Sequence, residues 1–85
     1  MIKQEKQEIP FDFDELLENW PSPIVPRNSI EKFSGGLINQ KYLANLDSSN
    51  RGIPGRFRVG RLVCYPARNV VNFIKNRASA IVDTN

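Results

Sequence analysis

The sequence predicts a small α+β domain of about three helices and a two-stranded hairpin. Three observations predict it. Short apolar stripes at helical spacing flank Ser34-Gly35-Gly36 on both sides. The alternating run Arg56-Phe57-Arg58-Val59 is followed by Gly60-Arg61 and a second extended run, Leu62 to Tyr65. A last apolar stripe of Val70, Val71, Phe73 and Ile74 follows Pro66. A length of 85 residues, with 40% hydrophobic and 25% charged, suits one such domain.

From the N-terminus, residues 1–9 are polar, lack apolar periodicity and are expected to be disordered. Phe13, Leu16, Leu17 and Trp20 stand at i, i+3, i+4 and i+7, which predicts a short amphipathic helix over Asp12–Asn19. Pro21, Pro23 and Pro26 forbid regular helix, so Ile24-Val25 reads as a linker or an entry strand. Asn28 and Glu31, three apart, have the spacing of a capping box, with Ile30 and Phe33 pointing one way behind it. Gly35-Gly36 stops that helix. Leu37-Ile38 leads into a second helix, capped by Asn39, with Tyr42, Leu43 and Leu46 as its apolar stripe. Two short helices joined by a glycine turn form a helix-turn-helix pattern. Ser48 to Gly55 is a loop. Gly60-Arg61 is a two-residue turn that pairs Val59 with Leu62 and Phe57 with Cys64. Those four side chains then share one face, which is expected to be the hidden one, with Arg56 and Arg58 on the other. Pro66 suits the first position of the last helix, which ends near Arg77. The division is an acidic flexible leader over 1–24, a main domain over 25–77 and a tail over 78–85.

Charge is divided along the chain. The first twenty residues hold two lysines and six acids, whereas residues 21–85 hold ten lysines and arginines and three acids. A basic domain with an acidic flank points to a polyanionic partner, or to two solvated surfaces. The single Cys64 allows no internal disulfide and reads as a small buried hydrophobe. The absence of histidine removes the commonest general base and metal ligand. No paired acids, phosphate loop or metal-ligand spacing is visible, so the chain is not expected to be an enzyme, to hold a metal or cofactor, or to take a small-molecule substrate. No apolar run is long enough to span a membrane, and the polar start does not read as a secretory leader, so a cytoplasmic location is expected.

Asn39, Gln40 and Lys41 stand at the start of the second helix, with Asn45 further along it. Gln and Asn can bond adenine in a bidentate way, and Lys can bond guanine or a phosphate. Otherwise Asn39 is a cap and the other two are solvated. Arg56, Arg58 and Arg61 cluster on the hairpin, where arginine suits narrow minor grooves and phosphates. Charged residues on an exposed strand also discourage aggregation. Arg27, Arg51 and Arg68 are further candidates for phosphate contacts. Phe33, Tyr42, Leu43, Leu46, Phe57 and Phe73 read as core.

The order helix, glycine turn, helix, loop, hairpin, helix is that of a small winged helix-turn-helix domain. Residues 25–77 resemble the excisionase and AlpA-like proteins, distant kin of the MerR DNA-binding domain. The resemblance is carried by Asn28-Ser-Ile-Glu-Lys-Phe33, Asn39-Gln-Lys-Tyr-Leu-Ala-Asn-Leu46, Arg51-Gly-Ile-Pro-Gly-Arg-Phe-Arg-Val-Gly-Arg61 and Tyr65-Pro-Ala-Arg68. It implies double-stranded DNA as partner, with the second helix in the major groove and the wing in the adjacent minor groove or on the backbone. It also implies a role as excisionase of a phage or mobile element, or as a small transcription regulator, together with an integrase or a second copy of the chain. The chain departs from the family in its glycine-rich inter-helix turn and in the less basic Asp47–Gly52. A different reading makes it an interaction adaptor that docks through the acidic, apolar Phe11–Trp20; packing of that segment on the core is the alternative.

Overall fold

The computed structural model describes residues 9–81. The expectation for residues 1–8 and for the last four residues of the tail lies outside the described residues. The protein is a small α+β fold of four helices and a three-stranded antiparallel sheet, compatible with a winged helix-turn-helix. In chain order these are α1 (Glu15–Glu18), β1 (Ile24–Pro26), a single 3-10 turn (Arg27–Ser29), α2 (Ile30–Ser34), α3 (Gln40–Ser48), β2 (Phe57–Val59), β3 (Leu62–Pro66) and α4 (Ala67–Arg77). No helix among the described residues is long and apolar enough to cross a membrane.

α1 is shorter than the periodicity predicts. The Asp12 carboxylate accepts from the Asp14 N–H at 3.0 Å, so the chain enters through a side-chain turn. Pro21 then biases Trp20 away from helical torsions. Phe13, Leu16, Leu17 and Trp20 all pack against the core. Trp20 meets Phe33 edge-on at 5.5 Å, and its indole N–H donates to the Ile24 carbonyl at 2.9 Å. Lys75 of α4 pairs with Asp14 at 3.0 Å.

The capping box does not form. The 3-10 turn moves the start of α2 to Ile30, and Ser29 at its N-cap makes no side-chain cap bond. The stop is as expected: Gly35 is left-handed at φ +67°, and the Gly36 N–H bonds the Glu31 carbonyl at 2.9 Å. Buried Ser34 then organises the turn, its hydroxyl accepting from the Ile38 N–H at 3.1 Å. Asn39 caps α3, its side chain accepting from the Tyr42 N–H at 2.8 Å.

The hairpin register is the expected one, Val59 with Leu62 and Phe57 with Cys64. Its facing is inverted. β1, unpaired in the sequence reading, adds to the sheet on the far side of β3, with Val25 opposite Tyr65. Both of these are fully buried, which commits that face to the core. By two-residue alternation Val63 and its partner Arg58 lie on the same face. Phe57, Val59 and Leu62 therefore lie on the outer face and are exposed, while Cys64 of that face is buried nearer the body. β1 tolerates Pro26 because an edge strand has one side free of ladder bonds.

Pro66 closes β3 and is the N-cap of α4, so the helix begins one residue later than expected. The first helical N–H, of Ala67, donates instead to the Pro23 carbonyl at 2.8 Å. Val70, Val71, Phe73 and Ile74 of α4 meet Ile30, Phe33, Ile38, Leu43, Ile53 and Tyr65 in one core.

Candidate nucleic-acid interface

Burying Leu43 and half-burying Leu46 turns the opposite stripe of α3 outward. Gln40, Lys41 and Asn45 are exposed on it, with Ala44 and Ser48 along the same side. Asn39 is exposed, but its side-chain oxygen is committed to the helix cap. Tyr42, expected in the core, is 41% exposed because its position turns it toward Leu37. With Phe73 and Arg77 these two line an apolar groove beside the start of α3, and the Arg77 guanidinium lies 3.8 Å over the Phe73 ring.

The wing stands on the other side of α3. Between them runs a groove of about 490 Å³, walled by Ala44 and Ser48 of α3 and by Phe57, Arg58 and Val63 of the wing. Arg58 is exposed at its rim, and Arg61 is exposed at the hairpin tip. Among the described residues neither makes an ion pair, nor does Lys41. The structure thus brings Ser48, Ala44 and Arg58 onto one groove, with Gln40, Lys41 and Asn45 along the outer stripe of its helical wall and Arg61 beyond its other wall.

Arg56 is placed differently from its two neighbours. Its guanidinium donates to the Asp47 carbonyl at 3.4 Å and to Asn50 Oδ1 at 3.2 Å, and its Nε lies 3.7 Å from Asp47 Oδ1. Arg27 is held the same way, pairing with Asp47 Oδ2 at 2.5 Å and donating from Nε to the Tyr65 hydroxyl at 2.9 Å. Tyr65 in turn donates to Asp47 Oδ2 at 2.6 Å. One carboxylate therefore ties the end of α3 to the 3-10 turn, to central strand β3 and to the approach to β2. Arg51 and Arg68 are exposed.

This cluster at the floor of the groove escaped the sequence reading, which saw only that Asp47–Gly52 is weakly basic. A signal was present: Asp47 is the sole acid between Glu31 and Asp83. Its electrostatics are those of a closed network. Burial pushes the Tyr65 hydroxyl up to about 12, the Asp47 carboxylate adds to that, and Arg27 opposes it. Burial works to lower the pKa of Arg27, and the bonds to Tyr65 and Asp47 outweigh it, so the guanidinium is held more firmly charged than usual. Asp47 Oδ1 is buried without a hydrogen-bond partner among the described residues. A Cβ on Gly52 would come within 1.7 Å of it, so only glycine leaves room for the loop to pass.

Acids and bases separate in sequence but meet in space at α4, where Lys75 pairs with Asp14. Asp12, Asp14, Glu15 and Glu18 lie on the segment that packs on α4, whereas residues 48–82 hold seven lysines and arginines and no acid. None of the family models, curated proteins or solved structures compared with the chain matches it.

Proposed function

We propose that this chain is a non-enzymatic, sequence-specific binder of double-stranded DNA. α3 lies in the major groove and presents Gln40, Lys41 and Asn45 to base edges, with Asn39 at its capped start. The wing grips the backbone and the adjacent minor groove through Arg58 and Arg61. Arg56 acts from behind, fixing the approach to β2 against Asp47. The observation that carries this reading is the groove with α3 on one wall and exposed Arg58 on the other, its one lining acid, Asp47, being paired with Arg27 and Arg56. A phosphodiester strand has the shape and charge to occupy it. The likeness of residues 25–77 to excisionase and AlpA-like proteins supports the same reading. In that setting the protein is a cytoplasmic, nucleoid-associated factor that directs an integrase toward excision, or a small transcription regulator. Both roles use this one surface. A domain of this size spans few base pairs, so useful specificity calls for further copies or a partner protein.

The test is fluorescence-anisotropy titration of a mixed-sequence duplex across a salt series. Three exposed cations, Lys41, Arg58 and Arg61, give a log–log slope of about −2.7, and Arg58→Ala reduces it by about 0.9. Absence of binding at low salt overturns the proposal. Binding with an unchanged slope in Arg58→Ala removes the wing from the mechanism.

A further inference from the structure

The wing exposes the side chains that a small domain has most reason to bury. Val59 is 63% exposed, Phe57 40% and Leu62 38%, all on the outer face of the hairpin. A marginal core has no surplus of apolar side chains to leave in water. Val59 and Leu62 are register partners that flank the Gly60-Arg61 turn, so their side chains stand together at the tip. Gly60 has φ +60°, and nothing lies within 4 Å of where its Cβ would be. The tip is therefore a narrow apolar edge, two strands about 4.8 Å apart, with Arg61 in the turn and Arg58 one residue behind.

We infer that this tip is a minor-groove wedge: Val59 and Leu62 enter between base steps while Arg61 holds the groove wall, so that each bound copy kinks the duplex. The inference rests on the DNA-binding reading above and adds a deformation that phosphate contacts alone do not produce. Its occupant follows from charge. The apolar pair sits beside Arg61 in the turn and next to Arg58 in β2, both exposed and without an ion pair among the described residues, which selects a polyanion with an apolar interior. Stacked base pairs lined by phosphates have that character, and apolar wedges of this kind unstack steps and bend DNA toward the major groove. Flexible pyrimidine–purine steps are the easiest to open.

The experiment uses the full chain and a duplex of about 30 base pairs with a central TA step, dye-labelled at both ends, with 2-aminopurine at that step in a second version. Wild type is expected to raise energy transfer between the ends and to raise 2-aminopurine fluorescence. The double variant Val59→Ser, Leu62→Ser changes only exposed side chains; its thermal melt and far-UV spectrum should match wild type. It is expected to bind the duplex still and to lose both signals. Wild-type binding without bending or unstacking overturns the wedge and leaves DNA binding standing. Equal bending by the double variant overturns it too. No binding by wild type overturns both. Loss of self-association by the double variant in sedimentation, with bending retained, assigns the strip to contact between copies and likewise overturns the wedge.

Discussion

Replacing Asp47 by alanine removes the one carboxylate that joins four segments of the chain. Its side chain is only 8% exposed, and it accepts from Arg27 at 2.5 Å and from Tyr65 at 2.6 Å. Tyr65 is fully buried, so its hydroxyl is left donating to nothing, at about 1–3 kcal/mol. Arg27, at 23% exposure, can turn to water, and its lost pairing contributes about 1 kcal/mol after allowance for screening. Arg56 is more exposed and adds little. The expected loss is about 2–4 kcal/mol, against a total of about 4–13 kcal/mol for a chain of this size. At about 4–8 °C per kcal/mol, the melting temperature falls by about 8–32 °C. Guanidinium unfolding followed by Trp20 fluorescence and far-UV dichroism measures it. Asp47→Asn keeps an acceptor for Tyr65 and should lose about half as much. A change below about 0.5 kcal/mol for the alanine variant, within the range of ordinary surface substitutions, would refute the hub.

Three further outcomes follow from the same contacts. The Tyr65 hydroxyl titrates near 12 when folded and near 10 when unfolded, so its contribution is full below pH 10 and is lost as pH rises through 12. That is about 2–3 kcal/mol, read as a decline in unfolding free energy above pH 10 that Tyr65→Phe lacks; equal declines in both proteins would contradict it. Gly52→Ala forces a methyl group against Asp47 Oδ1 and is expected to cost about 1–3 kcal/mol in chemical unfolding, and most of that cost should disappear in the Asp47→Ala background, where the 3.3 Å approach to the backbone Cα of residue 47 remains. Asn39→Ala removes the cap bond to Tyr42 and should cost about 1 kcal/mol, whereas Asn39→Ser should restore most of it.

What was legible in the sequence was local. The glycine stop after Ser34, the Asn39 cap, the Val59–Leu62 register and the apolar stripe of α4 each depend on residues a few positions apart, and each stands in the structure. The facing of the hairpin was not local. It is set by β1, some forty residues earlier, whose Val25 is committed to Tyr65. Alternation alone favoured hiding Phe57, Val59 and Leu62, because a two-stranded ribbon has no third strand to decide otherwise. The same distance concealed the Asp47 cluster. Arg27, Asp47 and Tyr65 are separated by twenty and eighteen positions, and nothing in their spacing announces a shared hydrogen bond. Among the candidate residues, the outward stripe of α3 was legible from its apolar complement. The different settings of Arg56 and Arg58 became visible only with the groove floor in place.

The sheet brackets the helix-turn-helix in time as well as in space. β1 leaves the ribosome before α2 and α3, but its hydrogen-bonding partner β3 and the apolar face of α4 emerge after them. The two central helices are five and nine residues long, too short to persist without tertiary support. The growing chain therefore has no stable groove to offer until its last helix is made, and closure of the β1–β3 ladder is the long-range step that sets the pace of folding. A partly synthesised or C-terminally clipped copy, cut before α4, would on the proposed DNA-binding reading be silent as a competitor rather than a weak occupant of the site.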